Sequence, residues 1–340
     1  MGTGDKKMGH ERVSRRALMI AVAALVVVSL APTWAAEPPL QIVVDANSLS
    51  MRAGSAALLQ YRYGDVAFKP YVRELFTPGG LNVLLDSPPD HGHHHALMFA
   101  CAVNNVDFWG EAVGPVDGHF ERLPGKQQSL RFDDVAVIGP VGHRWARFAE
   151  SIRWVSQPNN EPLLMEHRTV TAGQTGQPAV TFLTWESKLT VPEGKESATL
   201  TGSHYHGLGM RFVRSMDVNG QFRNPDNDPG IIFRGEERLA RSRWCAYTAQ
   251  VDGKTVTAAM FDHPDNPRHP ATWFMMAQPF AYLSATMRLH EEPLKVRAGK
   301  PLTLRYGVAL WDGRPEVAQI DKLYRQWTAM TPTSTVELQP

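Results

Sequence analysis

The chain has 340 residues, with 35 Lys and Arg against 34 Asp and Glu, a net charge of +1. So even a balance gives no basic or acidic surface to argue from, and neither a nucleic-acid nor an acidic-polymer partner is expected. One apolar run near the start is short for a bilayer span of roughly 20 residues, and no other long apolar run exists, so the mature chain is expected to have no membrane span.

That segment comes first in chain order. Arg12, Arg15 and Arg16 precede an apolar stretch from Ala17 to Ala31, broken only by Ser29 and ended by Pro32. Small residues follow at Thr33 and Ala35. The pattern predicts a secretory signal over residues 1–36, cleaved after Ala35 or Ala36, with an uncleaved anchor as the alternative. Ser14-Arg15-Arg16-Ala17-Leu18-Met19 is similar to a twin-arginine signal; an ordinary signal with two adjacent arginines is the other reading. Either way the location expected is periplasmic or secreted.

Strands dominate the rest of the chain. Val180, Phe182 and Thr184 alternate with Thr181, Leu183 and Trp185; Leu302, Leu304, Tyr306, Val308 and Leu310 alternate with Thr303, Arg305, Gly307 and Ala309. A period of two in β-branched and aromatic residues predicts half-buried strands. Similar runs span 40–46, 56–63, 131–138, 144–155, 163–171 and 255–261, separated by turn clusters such as Thr77-Pro78-Gly79-Gly80. One helix is predicted. Pro315 and Glu316 suit its first turn, and Val317, Ile320, Leu323, Tyr324 and Trp327 recur at helical spacing. Residues 331–340 read as a loose tail. Asn224 to Gly230 is the best candidate boundary but reads as a surface loop. The prediction is therefore all-β: one large antiparallel β-sandwich over residues 37–330, closed by a C-terminal helix. Cys101 and Cys245 either pair or are buried thiols.

Four constellations can carry chemistry. The first is Asp90-His91-Gly92-His93-His94-His95, after Pro88-Pro89. If the segment enters a strand, His91, His93 and His95 share one face and His94 takes the other. Such imidazoles suit a transition metal, acid–base work near neutral pH or hydrogen bonds to a ligand; a solvated or loop-tying cluster is the bland alternative. The second is Ser203-His204-Tyr205-His206-Gly207-Leu208-Gly209-Met210-Arg211, where Arg211 can clamp a carboxylate or a polyol. The third runs from Phe261 through Asp262, His263, Asn266, Arg268, His269 and Pro270, with Trp273 after it as an aromatic for a sugar face; its alternative is a proline-stiffened loop that caps itself. The fourth, Asp107-Phe108-Trp109-Gly110-Glu111, offers Glu111 as a base or ligand, with His119 eight residues on.

Pro88 to His94, Asp107 to Glu111, His206 to Arg211 and Phe261 to Pro270, in this order, resemble the bacterial PmoA-like family of secreted proteins. The likeness runs from about Tyr71 to Asp312. It implies a large sandwich similar to galactose mutarotase. The chain departs from the family pattern at His95-Ala96-Leu97-Met98, where Arg-Gly-Leu-Trp is usual. The family's name comes from a subunit of a membrane-bound methane oxygenase, and that reaction is not carried over to a chain without a span.

Three functions are consistent with these residues. One is an extracytoplasmic carbohydrate-active enzyme, of epimerase, lyase or hydrolase type, acting on a small-molecule or glycan substrate. His93, His206 and His263 are its candidate acids or bases, and Glu111 and Asp262 their partners. His91, His94, Arg211, Asn266, Arg268, His269 and Trp273 would bind substrate. The second is a His-ligated metal protein, with copper or zinc and no fixed ligand set. The third is a non-catalytic glycan-binding module.

Overall fold

Alternation in the long strands decides the architecture. In strand Val180–Thr190, Leu183, Trp185 and Leu189 enter the main core, while Val180 and Phe182 point the other way into a second apolar cluster. A sheet that is apolar on both faces needs a cover on each. The computed structural model supplies both. It describes Met1 and residues 39–111, 114–116, 120–139, 145–157, 159–175, 179–217 and 219–330. The expected export signal, the expected tail and His119 lie outside the described residues.

Two sheets face each other across the main core. The first has ten strands, with Leu40–Val44 at one edge and Ile231–Arg234 at the other. Towards the second edge its order is Tyr71–Leu75, Leu97–Ala100, Gly207–Arg211, Tyr282–Thr286, Thr272–Met276, Glu237–Arg241 and Ile231–Arg234. The second is larger. It is built on Phe120–Ile138, Trp145–Ser156, Pro162–Thr175, Val180–Thr190, Leu302–Asp312, Lys254–Asp262 and Trp244–Val251, in spatial order. Pairing is antiparallel except where Val106–Asp107 lies beside Phe120–Ile138. The fold is the all-β sandwich that the alternation predicts, with one C-terminal helix.

That helix, Val317–Thr328, covers the outer face of the larger sheet. Ile320, Leu323, Tyr324 and Trp327 pack on Trp145, Phe182, Trp244, Phe261 and Trp311. Trp327 Nε1 also donates to Thr184 Oγ1 at 3.0 Å. The helix starts slightly later than the sequence suggests. Glu316 stands outside it in an extended conformation (φ −68°, ψ 152°) as the N-cap, in a reciprocal capping box with Gln319. The box satisfies two amide groups that the first turn leaves free, which is why the helix begins there.

The core between the sheets contains charge. Arg168, Glu166, Glu150 and Tyr61 are all buried there. Arg168 donates from Nε and Nη2 to the two oxygens of Glu166 at 2.8 and 2.9 Å, and from Nη1 to Tyr61 Oη at 2.9 Å. Tyr61 in turn donates to Glu150 Oε2 at 2.5 Å. Trp154 Nε1 and Ser187 Oγ donate to Glu166 as well.

Residues 39–330 belong to one unit, and the loop from Asn224 to Gly230 does not divide it. Asn224 is buried and organises that loop. Its Oδ1 accepts from the amides of Asp226 and Asp228, and its Nδ2 donates to Asp228 O. Cys101 and Cys245 are separate buried thiols, so the pairing alternative falls. Among the described residues no helix is long and apolar enough to cross a membrane.

Candidate functional site

Among the described residues, no helix covers the outer face of the ten-stranded sheet. Phe99 marks the inner face, because its ring meets Trp154 of the other sheet at 5.9 Å. Its strand neighbour Met98 therefore faces out, and so do the residues in register with it: Gly209, then Ser284, then Phe274. Tyr282 and Met276, paired with each other two residues along, share that outer face.

Three loops rise over this face. The first carries the histidines. Its backbone folds back instead of entering a strand: His91 N donates to Pro88 O and His94 N to His91 O, both at 2.9 Å. The strand expectation for this segment is corrected. The turn puts His91, His93 and His94 on one side, and only His95 pairs as a bridge, with Asp86. The second loop carries Trp109. Asp107 accepts from the amides of Trp109 and Gly110 at 2.9 and 3.2 Å, and this turn sends Phe108 inward against Trp154. The third contributes Tyr205, between His204 and His206.

Together they enclose a cavity of about 250 Å³. Its histidine wall is His91, His93 and His94. Its aromatic and apolar walls are Trp109, Tyr205, Phe274, Met276, Phe280 and Tyr282, and Arg234 and Glu237 stand beside them. The rings touch in series. His94 lies 4.7 Å from His93 and 4.6 Å from His91, and His93 lies 4.8 Å from Trp109, centroid to centroid. Burial penalises an imidazolium here, with neighbouring positive groups adding to it. His93 is pushed down to about 4 and His94 to about 2. Both are neutral imidazoles at physiological pH. His91 instead has a carboxylate partner: its Nδ1 is 2.9 Å from Asp90 Oδ2.

Behind the histidines lies a string of charged side chains. His95 Nδ1 sits 3.0 Å from Asp86 Oδ1, and its Nε2 is 3.1 Å from Glu111 Oε2. Tyr71 stacks on the His95 ring at 4.5 Å and donates to Asp86 Oδ2 at 2.8 Å. Buried Lys69 closes the string: it contacts Glu111 and donates to Trp109 O at 3.2 Å. Burial alone would lower the His95 pKa, but its two carboxylate partners win and raise it. Burial likewise opposes ionisation of Glu111, yet His95 and Lys69 hold its carboxyl below the usual range. The string anchors both Glu111 and the Trp109 backbone.

The candidates named from sequence divide sharply. His91, His93 and His94 line the cavity. His206 does not line it, but stacks on Trp109 at 5.3 Å and 15°. Glu111 lies behind with Lys69 and His95. Arg211 is buried under the wall. Its guanidinium lies 4.0 Å over the Phe280 ring and donates to Ala281 O and Asp217 Oδ1, so it supports an aromatic wall from below.

The Phe261–Pro270 segment is elsewhere, and its polar groups satisfy one another. Asp262 accepts from Asn266 Nδ2 and Ala271 N, both at 2.7 Å, and lies 2.6 Å from His269 Nδ1. Asn266 also accepts from Arg305 N and donates to Arg305 O. His263 is buried edge-on to Trp327 at 5.3 Å. Arg268 donates to the carbonyls of Met287, Glu292 and Pro293. Trp273 is fully buried on the inner face, and its Nε1 donates to Ser242 O at 2.7 Å, so no sugar can reach its ring. The structure does not bring these residues to the cavity. Sequence reasoning missed Phe274, Phe280 and Tyr282, which carry no motif, gave Tyr205 no role within its histidine motif, and missed Lys69, Tyr71 and Asp86, which tie His95 and Glu111 together. Among the described residues no group of three or more His, Cys, Asp or Glu is placed to hold a metal ion.

Gly209 makes room for one wall. A Cβ there would lie 2.0 Å from Tyr282 Oη and 2.7 Å from its Cζ. We expect Gly209→Ala to drive the phenol ring out of place and to destabilise the fold by about 1–3 kcal/mol. Urea unfolding measures the loss, and an unchanged midpoint would show that the ring shifts freely.

No curated protein matches the chain at a significant level. By structure it is similar to the Slr1438 protein from Synechocystis sp. PCC 6803, with a TM-score of 0.40 and 10% identity over 81% of this chain and 96% of that one. By sequence the match is to DUF6807, described as a family of unknown function. That match runs over residues 48–325 and so takes in every strand of both sheets except the outermost, all three site loops and most of the helix; the chain belongs to that family.

Proposed function

We propose that this chain is an extracytoplasmic carbohydrate-active enzyme whose acid–base chemistry sits in the histidine and aromatic cavity. One observation carries the reading: neutral His93 and His94 stand against Trp109 in a cavity sized for about one sugar ring. Aromatic walls suit the apolar face of a pyranose. A neutral imidazole has a ring nitrogen free to accept a proton. In this reading His93 accepts the proton. His91, backed by Asp90, delivers one from the same wall, 5.8 Å away between ring centroids. His94 and Trp109 hold the ring.

Epimerase or lyase chemistry fits better than hydrolysis. Glycoside hydrolysis ordinarily uses two carboxyl groups across the bond. Glu237 is the one carboxylate among the described lining residues, and it is already paired with His204 at 2.9 Å. The likeness to the PmoA-like family supports export but assigns no reaction.

A second reading is a glycan-binding module without catalysis, favoured by the run of aromatic walls. The experiment that separates the two uses the mature protein against a panel of neutral sugars and sugar acids. Calorimetry reads binding, and proton exchange from sugar carbons in deuterated water reads turnover. We expect binding and exchange together, and loss of binding of at least about tenfold in Trp109→Ala. Binding without exchange selects the module. No binding to any sugar removes both.

A further inference from the structure

The cavity does not end at its own walls. Trp109 meets Tyr205 at 4.6 Å, Tyr205 meets His204 at 4.9 Å, and the His204 ring lies flat under Phe233 at 3.9 Å and 27°. A continuous line of rings thus leads from His93 to the edge strand Ile231–Arg234. Near the inner end Trp109 is buried. The outer end is open: Phe233 is 47% exposed, on the last strand of its sheet. The strand is held in place by a hairpin to Glu237–Arg241, turned over two residues at Gly235, whose φ is +55°. Polar groups line the way. Glu237 is held by both His204 and Arg234, at 2.9 Å each.

We propose that Phe233 is a second subsite, and that the ligand is a neutral glycan of two or more units. This rests on the sugar-binding reading above. The inner unit fills the cavity, whose volume admits about one ring. The next unit leaves past the Glu237–Arg234 pair and stacks on the exposed face of Phe233, while His204 backs the other face. The charges along the path are already paired with each other, so an uncharged chain fits better than an acidic one.

Gluco-, galacto- and manno-configured saccharides of one, two and three units are the probes. Calorimetry is run on the wild type and on Phe233→Ala, with sedimentation to read the oligomeric state. In the series that binds, two-unit saccharides should bind more tightly than one-unit saccharides. Phe233→Ala should remove that gain, about three- to tenfold, and leave the monosaccharide unchanged. Equal affinity across lengths, unaffected by Phe233→Ala, overturns the subsite and leaves the cavity reading standing. A wild-type dimer that Phe233→Ala dissociates also overturns it, because the edge strand then belongs to a second copy. No binding at any length removes the subsite and the sugar reading together.

Discussion

Arg168→Ala is expected to cost about 3–5 kcal/mol of stability, enough to threaten folding at 37 °C. The reason is what remains, more than what is lost. Among the described residues Arg168 is the one cation bound to Glu166, and it holds Tyr61, which holds Glu150. Removing it leaves Glu166 as an uncompensated buried charge between two sheets. Urea unfolding of the protein measures the loss; a change below about 1 kcal/mol would mean that water or relaxation replaces the cation. The other carboxylate behaves differently. Burial raises the Glu150 pKa, with Arg168 opposing it. A carboxyl raised in the folded state binds its proton more tightly there than in the unfolded chain. Its contribution is therefore full below the unfolded value of about 4.3 and is lost as pH rises through the folded one. Glu150→Gln should flatten that fall and leave stability at neutral pH within about 1 kcal/mol of wild type.

His93→Ala is expected to lower turnover by about 10²–10⁴-fold, the ordinary contribution of a positioned base. Its pH signature separates a base from a wall. His93 is neutral above about pH 4, so its acid limb should fall near that pH and not near 6.5. His93→Gln keeps a hydrogen bond but cannot take a proton, so it should lose turnover nearly as fully as Ala while binding persists. Binding lost with turnover would make His93 a binding residue only. Stability follows the opposite sign from Glu150. An imidazole whose pKa is depressed on folding favours the native state above the unfolded value. That support is lost as pH falls from about 6.5 towards 4. Mild acid should therefore loosen the cavity before the rest of the sandwich, as local hydrogen exchange at residues 91–95 would report.

The strands were legible because alternation is a direct consequence of a half-buried pleat. Val180 to Trp185 and Leu302 to Leu310 both lie in strands of the larger sheet, and the helix spacing from Val317 to Trp327 found its apolar face. Polar clusters were less legible. Asp262, His263, Asn266 and His269 have the composition of a site, yet their partners are each other and the Arg305 backbone. Composition does not say whether a polar group faces a ligand or its own loop. The histidine run reads as a possible strand, where alternation would split it two ways. Two successive turns gather three of its rings instead. Phe274, Phe280 and Tyr282 could not be told from core aromatics, because facing outward under a loop looks the same in sequence as facing inward.

The two thiols bear on how the folded chain meets oxidants. Cys101 and Cys245 are both fully buried and apart, and burial raises the pKa of each. Neither is a thiolate at physiological pH, so neither offers a nucleophile to an oxidant or a disulfide catalyst. The folded sandwich therefore shields both thiols, and its packing between the sheets rests on no crosslink between them.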